Sequence, residues 1–261
     1  MFYLNMDHNF KKSLGQNFLI NKNIILRIIS LLESDVKSVI EIGPGSGALT
    51  HEIINNLNNI NLSLIEYDDS LIPKLNDIKH DNLASYKVIH QDAMCVNWME
   101  ITSNLPRKLN IISNLPYNVG TRIFLNLVKE NTLYDKMILM FQKEVVDRII
   151  AKKSSKDYSK LSVISQLYLD IKKEFDVGPK NFVPAPAVVS SVITATPRNV
   201  KYDFTFDEMM SFLNIVFSSR RKMIRVSMKN KIHLIPGEYH QERPEDLELG
   251  DFIKIVMALK V

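Results

Sequence analysis

Glu41-Ile42-Gly43-Pro44-Gly45-Ser46-Gly47-Ala48-Leu49-Thr50 closes an apolar run that starts at Ser38 and opens an amphipathic one that reaches Asn56. A short apolar run ending in alternate glycines predicts a buried strand, a tight turn and the start of a helix. Glycines in such a turn accept positive φ angles and let a ligand approach the backbone, and the helix start presents unpaired N–H groups. Outward from this turn the alternation continues. Further strands are expected at Leu62 to Glu66, Tyr86 to His90, Asn110 to Ser113, Lys136 to Phe141, Ile171 to Val177 and Val188 to Thr196. Helical spacing falls at Asn23 to Glu33, Ser70 to Asn76, Thr121 to Lys129, Glu144 to Ala151 and Leu161 to Leu169. Strands separated by helices predict an α/β fold with a mainly parallel sheet, the last two strands forming a hairpin-like antiparallel pair. Thr196-Pro197-Arg198-Asn199 breaks the pattern, and the rest reads as helices, including one from Phe206 to Lys229. The expected division is therefore a sheet domain over 1–197 and a helical domain over 198–261.

Strand ends carry the chemistry of such a sheet. A dinucleotide fingerprint reads G-x-G-x-x-G, whereas this turn reads G-x-G-x-G with an acid, Glu41, two positions before Gly43. That spacing favours S-adenosylmethionine over NAD, with Gly43 and Gly45 against the cofactor. Glu66 ends the second strand, where a carboxylate can accept from both ribose hydroxyls of an adenosine. Asp92 ends the third, placed to accept from the adenine amine.

The fourth strand ends in Ser113-Asn114-Leu115-Pro116-Tyr117-Asn118. An exocyclic aromatic amine is a poor nucleophile because its lone pair is delocalised into the ring. Two acceptors on its hydrogens, the Asn114 amide oxygen and the Leu115 carbonyl, push that nitrogen toward tetrahedral geometry. Tyr117 can stack on the base, and catalysis then rests on positioning without a general base of shifted pKa. Phe182, ahead of Pro184-Ala185-Pro186, is expected to project as a second stacking surface opposite Tyr117 and clamp an extruded base.

Composition narrows the classes. With 46% hydrophobic and 24% charged residues the chain is neither low-complexity nor disordered. Its single cysteine, Cys95, excludes an intramolecular disulfide, and the six histidines show no zinc spacing, so no metal is expected. No apolar stretch is long enough for a membrane span and no targeting pattern opens the chain, which reads as cytoplasmic. The net charge of +4 is an average. Arg220, Arg221, Lys222, Arg225, Lys229 and Lys231 form a run of six cations without an intervening acid. On one continuous helix Arg221, Arg225 and Lys229 share a face, as a phosphate-tracking surface requires.

Taken together with Lys11-Lys12-Ser13-Leu14-Gly15-Gln16-Asn17-Phe18-Leu19, Tyr158-Ser159-Lys160-Leu161-Ser162-Val163 and Phe217-Ser218-Ser219-Arg220-Arg221-Lys222, these motifs resemble the ribosomal RNA adenine dimethyltransferases. The resemblance runs from about Phe10 to Val256. It implies a class I S-adenosylmethionine-dependent methyltransferase domain with a seven-stranded sheet and a small all-α C-terminal domain that binds RNA. It implies that Asn17, Leu19, Gly43, Glu66, Asp92 and Asn114 contact S-adenosylmethionine, with Asn114 also facing the target amine. Within the family the chain is most similar to the branch that dimethylates two adjacent adenosines in the 3′-terminal hairpin of small-subunit ribosomal RNA; the expected role is in ribosome biogenesis, with an immature small subunit as partner and the chain as a monomer. The macrolide-resistance branch, acting on large-subunit RNA, shares several motifs but usually has Ile where this chain has Leu115. Ser159 and Tyr67 are small departures from the family pattern.

Overall fold

The computed structural model describes residues 17–260. Lys11, Lys12 and the rest of the N-terminal motif up to Gln16 lie outside the described residues. In chain order the elements are β1 (Phe18–Leu19), α1 (Lys22–Ile29), β2 (Ser38–Ile42), α2 (Ala48–Asn56), β3 (Asn61–Glu66), α3 (Ile72–Asn76), β4 (Ser85–His90), α4 (Trp98–Thr102) and β5 (Leu109–Asn114). They continue with α5 (Gly120–Lys129), β6 (Lys136–Gln142), α6 (Lys143–Ile149), α7 (Lys160–Tyr168), β7 (Leu169–Val177), β8 (Phe182–Val183), β9 (Ser190–Pro197), α8 (Phe206–Phe217), α9 (Ile224–Ser227) and α10 (Leu249–Ala258).

Seven strands form one sheet in the order β4-β3-β2-β5-β6-β9-β7. β4, β3, β2, β5 and β6 pair in parallel, and β9 enters antiparallel to β6. All five residues of β2 are buried, as a central parallel strand covered on both faces requires. Asn21 starts α1 by accepting from the N–H groups of Asn23 and Ile24, and Ile25, Ile28 and Ile29 then fall at core spacing. A second, two-stranded sheet pairs β1 with β8, matching Phe18 to Val183 and Leu19 to Phe182. Strands of two residues carry no periodicity, so this sheet and the five-residue α4 escape a pattern-based reading.

The chain forms two compact units, Met1–Val146 with Ile171–Pro197, and Asp147–Asp170 with Arg198–Val261. The expected division at 197/198 therefore needs correction, because residues 147–170 pack with the tail. The Tyr158 ring lies 6.2 Å from that of Phe217, its hydroxyl donates to the Leu247 carbonyl at 3.1 Å, and Lys153 pairs with Glu248 at 2.5 Å. α7 is buried over most of its circumference, at Leu161 to Ser165 and Leu167, and its local sequence does not say which partner covers it.

The expected helix from Phe206 to Lys229 is also corrected. α8 begins with a Thr205/Glu208 capping box and ends at Phe217; turns follow, then α9 and a 3-10 turn over Lys229–Leu234. Arg221, Arg225 and Lys229 consequently do not share one helical face.

Candidate active site

The carboxyl ends of β2, β3, β4 and β5, four neighbours in the parallel sheet, border a cavity of about 310 Å³. That is where open α/β sheets bind ligands, and the volume suits a small molecule. Its walls are Gly43 to Ser46 after β2, Glu66 at the end of β3 with Tyr67 beyond it, Gln91 to Met94 after β4, and Asn114 at the end of β5 with Leu115 to Val119 beyond it; Asn17, Phe18 and Leu19 complete the lining from the N-terminal segment.

Gly43, Gly45 and Gly47 have φ of 63°, 58° and 83°. At Gly45 an added Cβ would lie 2.6 Å from Cε1 of Phe18, so the glycine admits both the left-handed backbone and the aromatic ring above it. Glu66 answers across the turn: its Oε2 accepts from the Gly45 N–H at 3.0 Å, and Oε1 from those of Tyr67 and Asp68 at 2.8 Å each. Burial pushes the Glu66 carboxyl above the ordinary range, against the pull of these three donors. A carboxylate has about four acceptor sites, so capacity remains for a ligand. Asp92 bends the next strand end, with Oδ1 accepting from the Met94 N–H at 2.8 Å.

In the sequence Glu41 stands out only through its spacing, yet it lines the cavity at 1% exposure. Its Oε2 accepts from the Thr50 hydroxyl at 2.6 Å, and burial, with the Glu66 charge adding, pushes its pKa up to about 8.

At the fourth strand end the Asn114 Nδ2 donates to the Asn17 carbonyl at 2.9 Å. A carbonyl can only accept, so this contact fixes which way the amide faces and leaves Oδ1 as its acceptor for a ligand. The following turn closes on Pro116, whose carbonyl accepts from Val119 at 3.3 Å and Gly120 at 2.7 Å. Tyr117 lines the cavity, and its hydroxyl shares a 2.6 Å hydrogen bond with that of Ser190. Burial pushes the phenol pKa up, opposed by the Ser190 bond.

Asn17, Leu19, Gly43, Gly45, Glu66, Asp92, Asn114, Leu115 and Tyr117 are thus gathered around one space. Phe182 is not. It is 2% exposed and belongs to the hydrophobic core with Leu19, Phe175 and Val177. Pairing β8 with β1 turns this ring inward, so the expected second stacking surface is corrected to a core residue. Phe18 and Ser190 were missed, since nothing in their local sequence signals a contact with Gly45 or Tyr117.

A family model described as Ribosomal RNA adenine dimethylase matches residues 7–244. The chain belongs to this family. The ribosomal RNA small subunit methyltransferase A of Wolbachia sp. subsp. Drosophila simulans is 41% identical over 250 residues, spanning 93% of this chain and 90% of that protein. Its counterpart from Sulfurihydrogenibium sp. is 36% identical over 246 residues, covering 94% of each. Among solved structures, a dimethyladenosine transferase from Plasmodium falciparum superposes with a TM-score of 0.76 at 23% identity over 93% of this chain and 97% of that one. The 23S rRNA methyltransferase ErmE gives 0.64 at 20% identity over 94% and 100%. Fold and family together make the chain a class I S-adenosylmethionine-dependent methyltransferase.

The cavity fits that cofactor. It offers a buried carboxylate at the β3 end, glycines where side chains would intrude, and an α2 start at Gly47 with no capping side chain.

In this family member the basic segment sorts into two kinds of side chain. Arg220 donates to the Lys156 carbonyl at 2.6 Å and pairs with Glu245 at 3.5 Å, so it fastens the second unit internally while its side chain stays 39% exposed. Arg221, Lys222, Arg225 and Lys229 are exposed, as are Lys152 and Lys156 on the loop that Arg220 holds. Among the described residues no helix is long and apolar enough to cross a membrane.

Proposed function

We propose that this protein transfers methyl groups from S-adenosylmethionine to the N6 of two adjacent adenosines in the 3′-terminal hairpin of small-subunit ribosomal RNA, twice on each, acting as a cytoplasmic monomer on an immature small subunit. The observation that carries the chemistry is the Asn114 amide held by the Asn17 carbonyl at 2.9 Å. The small-subunit assignment rests on relatives of that name at about 40% identity. Asn17, Leu19, Gly43, Gly45, Glu66, Asp92 and Asn114 hold the cofactor in this reading; when bound, it supplies an electrophilic methyl group on a sulfonium.

Asn114 Oδ1 and the Leu115 carbonyl accept from the two amine hydrogens and raise electron density on the target nitrogen. Tyr117 stacks on the base and holds it in register. Because the nitrogen becomes acidic once alkylated, its proton passes to water, and the site needs no buried base. Positioning and preorganised acceptors do the rest.

Pure protein with S-adenosylmethionine and unmethylated ribosomal subunits tests the reading. Primer extension on the treated RNA is expected to arrest at two neighbouring adenosines in the small-subunit 3′ hairpin. Arrest in large-subunit RNA would assign the protein to the macrolide-resistance branch instead.

Two further outcomes follow from the geometry. Gly45→Ala places a side chain on a left-handed backbone, at a cost of about 1–2 kcal/mol, and displaces the Phe18 ring. Calorimetric titration with S-adenosylhomocysteine should show affinity reduced by roughly tenfold or more. In the second unit, Arg221→Ala with Lys222→Ala should weaken RNA binding uniformly across sequences and flatten its salt dependence by about 0.7–0.9 log units for each phosphate left unneutralised. An unchanged slope in filter-binding assays removes these residues from the RNA surface.

A further inference from the structure

We infer that Ser190 is a positioning residue for methyl transfer: its buried hydroxyl tethers the Tyr117 phenol and so fixes the plane of the ring on which the target base stacks. This rests on the proposed stacking role of Tyr117.

Ser190 opens β9 at 0% exposure, in register with Gln142 at the end of β6. A residue so placed moves with the sheet. Tyr117 stands on a turn outside the sheet, 73 residues earlier in the chain. Its backbone is braced by the two hydrogen bonds that close on Pro116, but these leave the side-chain torsions of Tyr117 free. The 2.6 Å bond between the hydroxyls supplies the missing restraint. A ring held at its root and at its tip presents one plane to the cavity. An untethered ring must be ordered each time a base docks, at an entropic cost to binding and alignment.

The chemistry of the pair supports a tether over simple packing. A phenylalanine fills the same wall without burying a polar atom, whereas a tyrosine there needs a partner for its hydroxyl. Ser190 provides that partner from the part of the sheet that also fixes the adjoining loop, since the Lys143 N–H donates to the Val189 carbonyl at 2.9 Å. The acceptors at Asn114 and Leu115 and the stacking ring are thereby referenced to a common frame formed by β5, β6 and β9.

The test is a double-mutant cycle on the full chain with Ser190→Ala, Tyr117→Phe and the pair. Tyr117→Phe removes the bond from the cavity side and leaves β9 untouched, which guards against a Ser190 variant that only weakens the sheet. Each single change is expected to slow single-turnover methyl transfer about three- to tenfold, the effect of one hydrogen bond. The double change should be no slower than either single one. Affinity for S-adenosylhomocysteine should stay near the parent value, and the melting temperature should fall by no more than the few degrees that one orphaned buried hydroxyl costs. Quenching of 2-aminopurine at the target position of a hairpin RNA should weaken equally in all three variants. Additive losses, or a silent Ser190→Ala beside a damaged Tyr117→Ala, would overturn the tether and leave stacking in place. If Tyr117→Ala transfers methyl groups at the parent rate, the stacking reading itself falls.

Discussion

Asn114→Ala is expected to lower the single-turnover rate of methyl transfer by about 10²–10³, the range for losing one preorganised polar group at a reacting centre. The substitution removes the Oδ1 acceptor that the proposed mechanism places on the target amine. It also removes the 2.9 Å bond to the Asn17 carbonyl, which ties the strand end to the N-terminal segment lining the cavity. These two effects are separable. Asn114→Asp keeps acceptors but sets a carboxylate oxygen against the Asn17 carbonyl, so the tie is replaced by repulsion. Asn114→Ala should therefore show its large loss in the transfer step, with cofactor affinity reduced only about two- to tenfold, the worth of one hydrogen bond. Asn114→Asp should show a greater loss of cofactor affinity than Asn114→Ala. Rapid-quench transfer assays at saturating cofactor and RNA, beside titrations with S-adenosylhomocysteine, read the two quantities apart. An Asn114→Ala enzyme with the parent transfer rate would falsify the acceptor mechanism.

Much of this site was legible in the sequence, for a physical reason. In a parallel sheet each buried strand is an apolar run whose carboxyl end borders the ligand crevice, so Glu66 and Asn114 are readable as the last residues of β3 and β5, whereas β4 has no fully buried residue and Asp92 lies beyond its end at His90. The β2 boundaries at Ser38 and Ile42 and the glycines after them were readable in the same way. What depends on distant pairing was not. β1 and β8 are two residues long and join segments about 160 positions apart, and only that pairing decides that Phe182 faces the core. The end of α8 is similar. Ser218-Ser219-Arg220-Arg221 contains neither proline nor glycine, and the turn is held by contacts such as Arg220 to the Lys156 carbonyl, which no local pattern announces. Arg220 also shows the limit of charge counting: a cation within a basic run can be occupied by its own protein.

Glu41→Gln is expected to stabilise the sheet unit by a margin that grows with pH. In the folded chain the Glu41 carboxyl is pushed up to about 8, first by burial, against the Thr50 hydrogen bond and with the Glu66 charge adding. Unfolded, it titrates near 4.5. A raised carboxyl pKa means the folded state holds a proton that the unfolded state has lost. The favourable contribution is complete below pH 4.5 and is lost progressively as pH climbs toward 8, beyond which the penalty is constant. Each unit of difference corresponds to 1.36 kcal/mol, so the full effect is at most about 5 kcal/mol, reduced by whatever relaxation admits water to the carboxylate. Glutamine keeps an acceptor for the Thr50 hydroxyl, now at 2.6 Å from Oε2, and carries no proton to lose. Trp98, the single tryptophan, is buried in the same unit, so its fluorescence in urea titrations at pH 5, 7 and 9 follows the relevant transition. The variant should match the parent near pH 5 and exceed it by several kcal/mol at pH 9; parallel pH profiles would contradict the assignment. The same titration bears on cofactor binding. A positive charge in a cavity bordered by Glu41 favours the ionised carboxyl, so S-adenosylmethionine binding at pH 7 should release a proton, visible as a dependence of the calorimetric enthalpy on buffer ionisation. S-adenosylhomocysteine lacks the sulfonium charge and should release less, and Glu41→Gln should abolish the difference between the two.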